Sequence, residues 1–319
     1  MEKRLKELIK TDSLSFVFPG QGSQYVGMGK DLFENFRIAR DTFEEADESL
    51  KFFISRLCFE GPEDKLQLTE NAQPAILTVS IAFIRILESE TDIKPLFLAG
   101  HSLGEYTALV VSGALRFTDA VRIVKQRGKF MQEAVPVGEG KMAAILGLDK
   151  DIVEAVCKEA AQDEVLEPAN FNCPGQIVIG GHSQAVERAV KLSMEKGARN
   201  AVLLSVSAPF HTSLMESAAE KLAQVLDPIG VNDFSYPVLS NVKGDFYSSI
   251  NEVKPLLIRQ VNSPVLWELC VRRMIEKGCK NFIEIGPGRV LSGLIKRIDR
   301  NVFVTPVNSL ETLKEIIIT

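Results

Sequence analysis

Histidine is scarce in this chain: three in 319 residues, beside one tryptophan and four tyrosines. Cysteine is also thin. Cys58, Cys157, Cys173, Cys270 and Cys279 are odd in number and none stands at C-x-x-C spacing. Ligands so few and so scattered argue against a structural zinc site, and no metal is expected. The five thiols are expected to be reduced and mostly buried, as in a cytosolic protein. No uninterrupted apolar run approaches about 18 residues, so no membrane-spanning helix is expected. The first residues, MEKRLKELIKTDS, carry charges throughout and have no apolar core, unlike a secretory signal. A large excess of one charge is missing too. The 37 basic and 42 acidic residues leave a net charge of −5, which disfavours nucleic acid as a partner. The protein is expected in the cytoplasm, or in the equivalent stroma or matrix, with neither a membrane nor a nucleic acid as partner.

What is present is a globular composition, 45% hydrophobic and 25% charged. The length suits one large domain or two of about 150 residues. Residues 1–13 predict a short helix with Leu5, Leu8 and Ile9 on one face. LSFVF at 14–18 reads as a buried strand that stops at Pro19-Gly20. Residues 30–60 and 73–88 have helical spacing. LFLAG at 96–100 is a strand, followed by helices over GEYTALVVSGAL and over 118–134, with Thr118 as N-cap. Strand and helix in alternation predict an α/β fold with a parallel sheet. Between 141 and 206 the order becomes β-α-β-β-α-β, the split ferredoxin-like pattern. Residues 138–207 are therefore expected to be an inserted subdomain. Residues 1–137 and 208–319 would form the larger domain, with further strands at YPVLSN and NFIEIG.

The sharpest chemical signal is Gly100-His101-Ser102-Leu103-Gly104, a G-x-S-x-G nucleophile elbow between a strand and a helix. Such a turn lifts Ser102 to a helix N-terminus, where the Leu103 N–H can stabilise an oxyanion. The alternative is an ordinary tight turn. A serine nucleophile needs a base. His101 is expected to point away from its neighbour Ser102, packed beneath the turn. His182 is expected to be solvated or to cap the next helix. His211, in the stiff segment Ala208-Pro209-Phe210, is the base by elimination. No acid presents itself as a third member. Gly20-Gln21-Gly22 follows a strand but lacks the third glycine of a dinucleotide loop and the lysine of a P-loop. Its backbone N–H groups could supply a second oxyanion donor. Arg127 lies near the apolar face of its helix, where it either snorkels to solvent or pairs with a carboxylate.

Taken together, these segments resemble the malonyl-CoA:acyl carrier protein transacylase family of bacterial fatty acid synthesis. The resemblance runs in order through FVFPGQGSQYVGMG, Gln-Pro-Ala at 73–75, GHSLGEYTAL, VKQRGKFMQ, NFNCPGQ at 170–176, SAPFHTSLM, SNVKG, RQVNSPVLW and EIGPGRVLSGL. The residues before Leu14 depart from the usual start of the family. The resemblance implies a hydrolase-like α/β domain with a ferredoxin-like insert. It implies Ser102 as the acylated nucleophile, His211 as base and Arg127 as binder of the malonyl carboxylate. It implies Gln21 and Leu103 as oxyanion-hole donors and the Gln260 carbonyl as the group that orients the histidine. Phe210 resembles the residue of malonyl-preferring rather than methylmalonyl-preferring relatives.

The reaction so implied is ping-pong, from malonyl-CoA through a malonyl-serine ester to acyl carrier protein, without a cofactor. Carrier proteins of this kind are acidic. Residues 272–300 carry eight basic side chains against three acidic ones, and Lys296, Arg297 and Arg300 are expected within a docking surface. Two other classes compete: a serine esterase, thioesterase or transferase for another acyl-CoA, and a non-catalytic docking subunit. A buried arginine facing the serine would separate the transferase from a plain esterase.

Overall fold

A computed structural model describes residues 13–206 and 208–317. The helix expected over residues 1–13 lies almost wholly outside the described residues. Its last residue, Ser13, is in a turn. In chain order the strands are β1 (Leu14–Phe18), β2 (Leu98–Gly100), β3 (Gly140–Leu146), β4 (Leu166–Cys173), β5 (Gln176–His182) and β6 (Asn200–Leu203). After these come the short pair β7 (Leu239–Ser240) and β8 (Asp245–Phe246), then β9 (Asn281–Ile285) and β10 (Phe303–Val307).

The first sheet has the order β10-β9-β1-β2 and is parallel throughout. Val238 adds a parallel bridge to Leu98 at its β2 edge. Every residue of β1 is buried, as expected of a strand with helices on both faces. The second sheet has the order β4-β5-β3-β6 and is antiparallel. Helices Lys150–Ala161 and Ser183–Glu195 connect its strands, which gives the β-α-β-β-α-β order. The architecture is thus α/β, a parallel-sheet core accompanied by a ferredoxin-like unit.

Several local expectations shift. Residues 30–60 form three helices, Lys30–Asn35, Arg37–Leu50 and Ile54–Glu60, rather than one. The breaks fall at Phe36, which is extended, and at Lys51, which is left-handed at φ 50°. The helix expected over 118–134 spans Phe117–Glu133, with Arg116 at its N-cap. Thr118 is therefore inside the first turn and caps nothing. YPVLSN yields only the two residues of β7, and β10 is a strand that periodicity did not announce. Its FVTPV sequence is short, half-exposed and contains proline, and it owes its form to pairing with β9.

Among the described residues one helix, Thr69–Glu90, is long and apolar enough by composition to cross a membrane. In the fold most of its residues are buried in protein, as in a core helix. It packs Ile76, Val79, Phe83 and Ile86 into the main core and so serves as the central helix of the larger body.

Candidate active site

The parallel sheet and the ferredoxin-like sheet share a cleft of about 420 Å³. Gly20, Gln21, Ser102, Leu103, Arg127 and His211 line it from the larger body. Met142, Asn170, Asn172, Gln176 and Val178 line it from the second sheet, and Leu204 from just beyond β6.

Ser102 stands between β2 and the helix Leu103–Val111 at φ 51°, ψ −103°. A non-glycine residue held there costs of order 1–3 kcal/mol and persists only when its surroundings fix it. The flanking glycines provide that fixing by close approach. A Cβ on Gly100 would lie 1.9 Å from the Gly104 carbonyl carbon, and one on Gly104 would lie 2.1 Å from the Phe18 oxygen. Asn241 clamps the turn from the opposite side. Its Oδ1 accepts the Ser102 N–H at 2.6 Å, and its Nδ2 donates to the Gly100 carbonyl at 2.7 Å.

His211 comes to the serine from 109 residues away, with Ser102 Oγ and His211 Nε2 2.8 Å apart. Its own φ is 62°, a second strained residue at the same place. His211 Nδ1 lies 2.7 Å from the Gln260 carbonyl. A carbonyl only accepts, so Nδ1 carries the proton and bare Nε2 accepts the serine O–H. That is the tautomer a general base requires, and no acid is needed to set it. Burial, then the nearby Arg127 charge, lowers the His211 pKa to about 3. The imidazole is therefore neutral at neutral pH.

Arg127 is 1% exposed. Its Nη1 donates to Gln73 Oε1 at 2.7 Å, and its Nη2 donates to Ser102 Oγ at 3.1 Å and to Gln260 Oε1 at 2.9 Å. All three acceptors are neutral, and its Nε has no hydrogen-bond partner among the described residues. Burial lowers its pKa from the ordinary arginine value. A buried guanidinium that meets no carboxylate directly is costly unless something anionic arrives. It does not snorkel, and among the described residues it pairs with no carboxylate.

The other expected residues fall in several places. Gln21 and Leu103 line the cleft, and neither backbone N–H donates a hydrogen bond among the described residues. The Gln21 side chain donates to Thr69 Oγ1 at 3.2 Å. Phe210 is buried on the cleft wall beside His211. Gln260 is fully buried and reaches the cleft through its contacts with Arg127 and His211. Lys296, Arg297 and Arg300 are exposed on or just after the helix Val290–Ile298. Arg297 Nη1 donates to Gln176 Oε1 at 2.6 Å, at the cleft wall. Lys296 donates to the Val302 carbonyl.

His101 turns away from the serine. Its Nε2 meets Asn172 Oδ1 at 2.9 Å, and its ring packs against Trp267. His182 occupies the N-cap position of helix Ser183–Glu195 without a side-chain cap bond. Instead its Nδ1 accepts the Val165 N–H at 3.0 Å, which corrects the capping expectation.

Four residues escaped the reading of individual positions: Gln73, Glu105, Asn241 and Tyr247. Three of them stand in motif stretches noted above, QPA, GEYTAL and SNVKG, but without a role. The available signal was a polar side chain inside an apolar run, which must find a buried partner.

Comparison with known proteins agrees with this geometry. The acyl transferase domain family matches residues 15–311. The malonyl CoA-acyl carrier protein transacylase of Bacillus subtilis is 50% identical over 302 residues, 94% of this chain and 95% of that protein. The solved malonyl CoA-acyl carrier protein transacylase of Coxiella burnetii superposes with a TM-score of 0.93 at 43% identity, covering 96% of each chain. A malonyl-transacylase solved in complex with its type II PKS acyl-carrier protein gives a TM-score of 0.93 at 43% identity, over 96% of this chain and 99% of that one. With a match across nearly its whole length in both sequence and fold, the chain belongs to the acyl transferase domain family and, within it, to the malonyl CoA-acyl carrier protein transacylases.

Proposed function

We propose that this protein transfers a malonyl group from malonyl-CoA to the phosphopantetheine thiol of acyl carrier protein, a step that supplies fatty acid synthesis, in the cytoplasm. Ser102 is the nucleophile and His211 the base. Ser102 Oγ attacks the thioester carbonyl while its proton passes to His211 Nε2. The oxyanion forms toward the Gln21 and Leu103 amides. The carbon–sulfur bond breaks, CoA sulfur takes the proton, and a malonyl-Ser102 ester remains. In the second half-reaction His211 accepts the proton of the carrier thiol, whose sulfur attacks the ester carbonyl; the bond from carbon to Ser102 Oγ breaks, and Oγ takes the proton back from His211. Residues 138–207 act as an inserted unit that forms the opposite wall of the cleft.

The observation that carries this reading is the buried, carboxylate-free Arg127 beside Ser102 Oγ. A plain esterase acts on substrates with no free carboxylate and has no use for such a cation. A malonyl group ends in a carboxylate that a guanidinium can hold in bidentate fashion. Held there, its thioester lies over the serine, and Phe210 closes the wall beside it. Brief mixing with malonyl-CoA is expected to add one malonyl group to the intact protein, read by mass spectrometry. Addition of holo carrier protein should then remove it. An unmodified protein after mixing would overturn the reading.

Carrier docking is proposed on the basic segment that ends at Arg300. Arg272 and Arg273 there are already paired with Glu268 and with Asp245 and Glu276. Lys296, Arg297 and Arg300 have no carboxylate partner among the described residues. Rim charges act mainly on association rate and its salt dependence. Reversing Lys296 and Arg297 to Glu is therefore expected to slow unloading to carrier protein, most at low salt. Loading from malonyl-CoA should be nearly unchanged. Stopped-flow measurement of the two half-reactions checks this, and equal slowing of both would assign the patch to CoA or to stability.

A further inference from the structure

Glu105 is wholly buried on the helix that follows Ser102, yet it does not line the cleft. Its Oε2 accepts the Asn241 N–H at 3.0 Å and Gln260 Nε2–H at 2.6 Å, and its Oε1 accepts the Tyr247 hydroxyl. Each of the first two partners reaches the reacting groups. Asn241 Oδ1 accepts the Ser102 N–H. Gln260 Nε2 also donates to the Ser102 carbonyl at 3.1 Å, its Oε1 accepts Arg127 Nη2–H, and its main-chain carbonyl accepts His211 Nδ1–H. One carboxylate thus stands a single residue away from the nucleophile, the base and the arginine.

We propose that Glu105 is a positioning residue of the transfer reaction, fixing Ser102, His211 and Arg127 relative to one another through Asn241 and Gln260. The proposal rests on the transacylase reading above. It also accounts for the missing counter-ion of Arg127. The Gln260 amide relays between carboxylate and guanidinium, so the buried positive charge is offset in part across one side chain. Among the described residues the guanidinium then meets no carboxylate directly, and an incoming malonyl group has no direct ion pair there to break.

The link depends on an acceptor-only group. An ionised carboxylate can accept from Asn241, Gln260 and Tyr247 together, whereas a protonated or amide oxygen site presents a donor to one of them. The ionisable groups around it are Arg127, Tyr106, Tyr247 and Cys270. Burial pushes its pKa up to about 7, while the three donors and Arg127 pull it down. Below neutral pH the carboxyl takes a proton and one link fails. Acyl loading is therefore expected to fall with an acid limb near 7, which His211, at about 3, does not produce.

The test uses the intact enzyme and malonyl-N-acetylcysteamine thioester, a donor without phosphate groups that titrate nearby. Glu105→Gln is expected to lower the loading kcat about 100-fold, the scale of loss from ~1 Å misplacement. The acetyl thioester should lose rate as well, because Ser102 and His211 are displaced for either donor, and the acid limb should vanish. Tyr247→Phe removes one donor to the ionised form, so the limb should move to higher pH. A folded Glu105→Gln enzyme with the wild-type rate would overturn the proposal. So would a limb that stays in place in Tyr247→Phe, and this variant decides the matter if Glu105→Gln fails to fold. Malonyl labelling of the wild-type protein tests the transacylase reading separately.

Discussion

Ser102→Ala is expected to form no malonyl adduct at all, and to lose on the order of 10⁶ in turnover, the scale seen when the nucleophile of a serine–histidine pair is removed. The expectation follows from the single hydroxyl placed 2.8 Å from His211 Nε2 and 3.1 Å from Arg127 Nη2. The protein should remain folded. The turn is held by Asn241 and by the close approach of Gly100 and Gly104, none of which uses the serine side chain. Ser102 also makes no side-chain cap bond to its helix. Alanine tolerates the backbone angles no worse than serine does. Intact-protein mass after mixing with malonyl-CoA, alongside a thermal melt, checks both halves. An adduct on Ser102→Ala would place the acylated residue elsewhere.

Arg127→Ala should separate malonyl from acetyl donors. Loss of one partner from a desolvated charge pair typically costs about 2–5 kcal/mol. At ~1.36 kcal/mol per decade this is roughly 1.5 to 3.7 decades in kcat/KM for malonyl-CoA. Acetyl-CoA has no carboxylate, and with it the loss should be about tenfold or less. Some loss remains because Arg127 also donates to Ser102 Oγ and holds Gln73 and Gln260 in place. Arg127→Lys should recover only part of the malonyl rate, since an ammonium cannot present the planar fork. Loading rates with the two donors, measured side by side, give the ratio. Equal losses with both would make the arginine structural.

The elements that local pattern determined are those whose signals lie within a few residues. β1 is legible because a strand covered on both faces is continuously apolar. The β-α-β-β-α-β order is legible because each of its elements has its own periodicity and turn residues. The elbow is legible because close packing excludes every side chain at Gly100 and Gly104. Failures fell where a local preference was overruled or was never strong. The break at Lys51 adopts a left-handed conformation on a residue with no marked preference for it. β10 forms through long-range pairing with β9.

At the site, the sequence by itself determined which groups were on offer: a serine at a strand-to-helix turn, a histidine in a stiff apolar segment, an arginine on an apolar helix face. Only the tertiary structure decided how they meet. Whether an arginine snorkels or lies buried is set by what packs over it, here Gln73, Gln260 and the Tyr106 ring. Which nitrogen of His211 is bare is set by a main-chain carbonyl, and every residue has one, so no side chain announces it. The Glu105 network joins residues from 102 to 260, and Glu105 in the sequence is simply a helix former in a helix. The physical reason is one of range. Backbone conformation and hydrophobic period are written within a turn or a strand, whereas hydrogen bonds between buried polar groups are satisfied by whatever the folded chain brings within 3 Å.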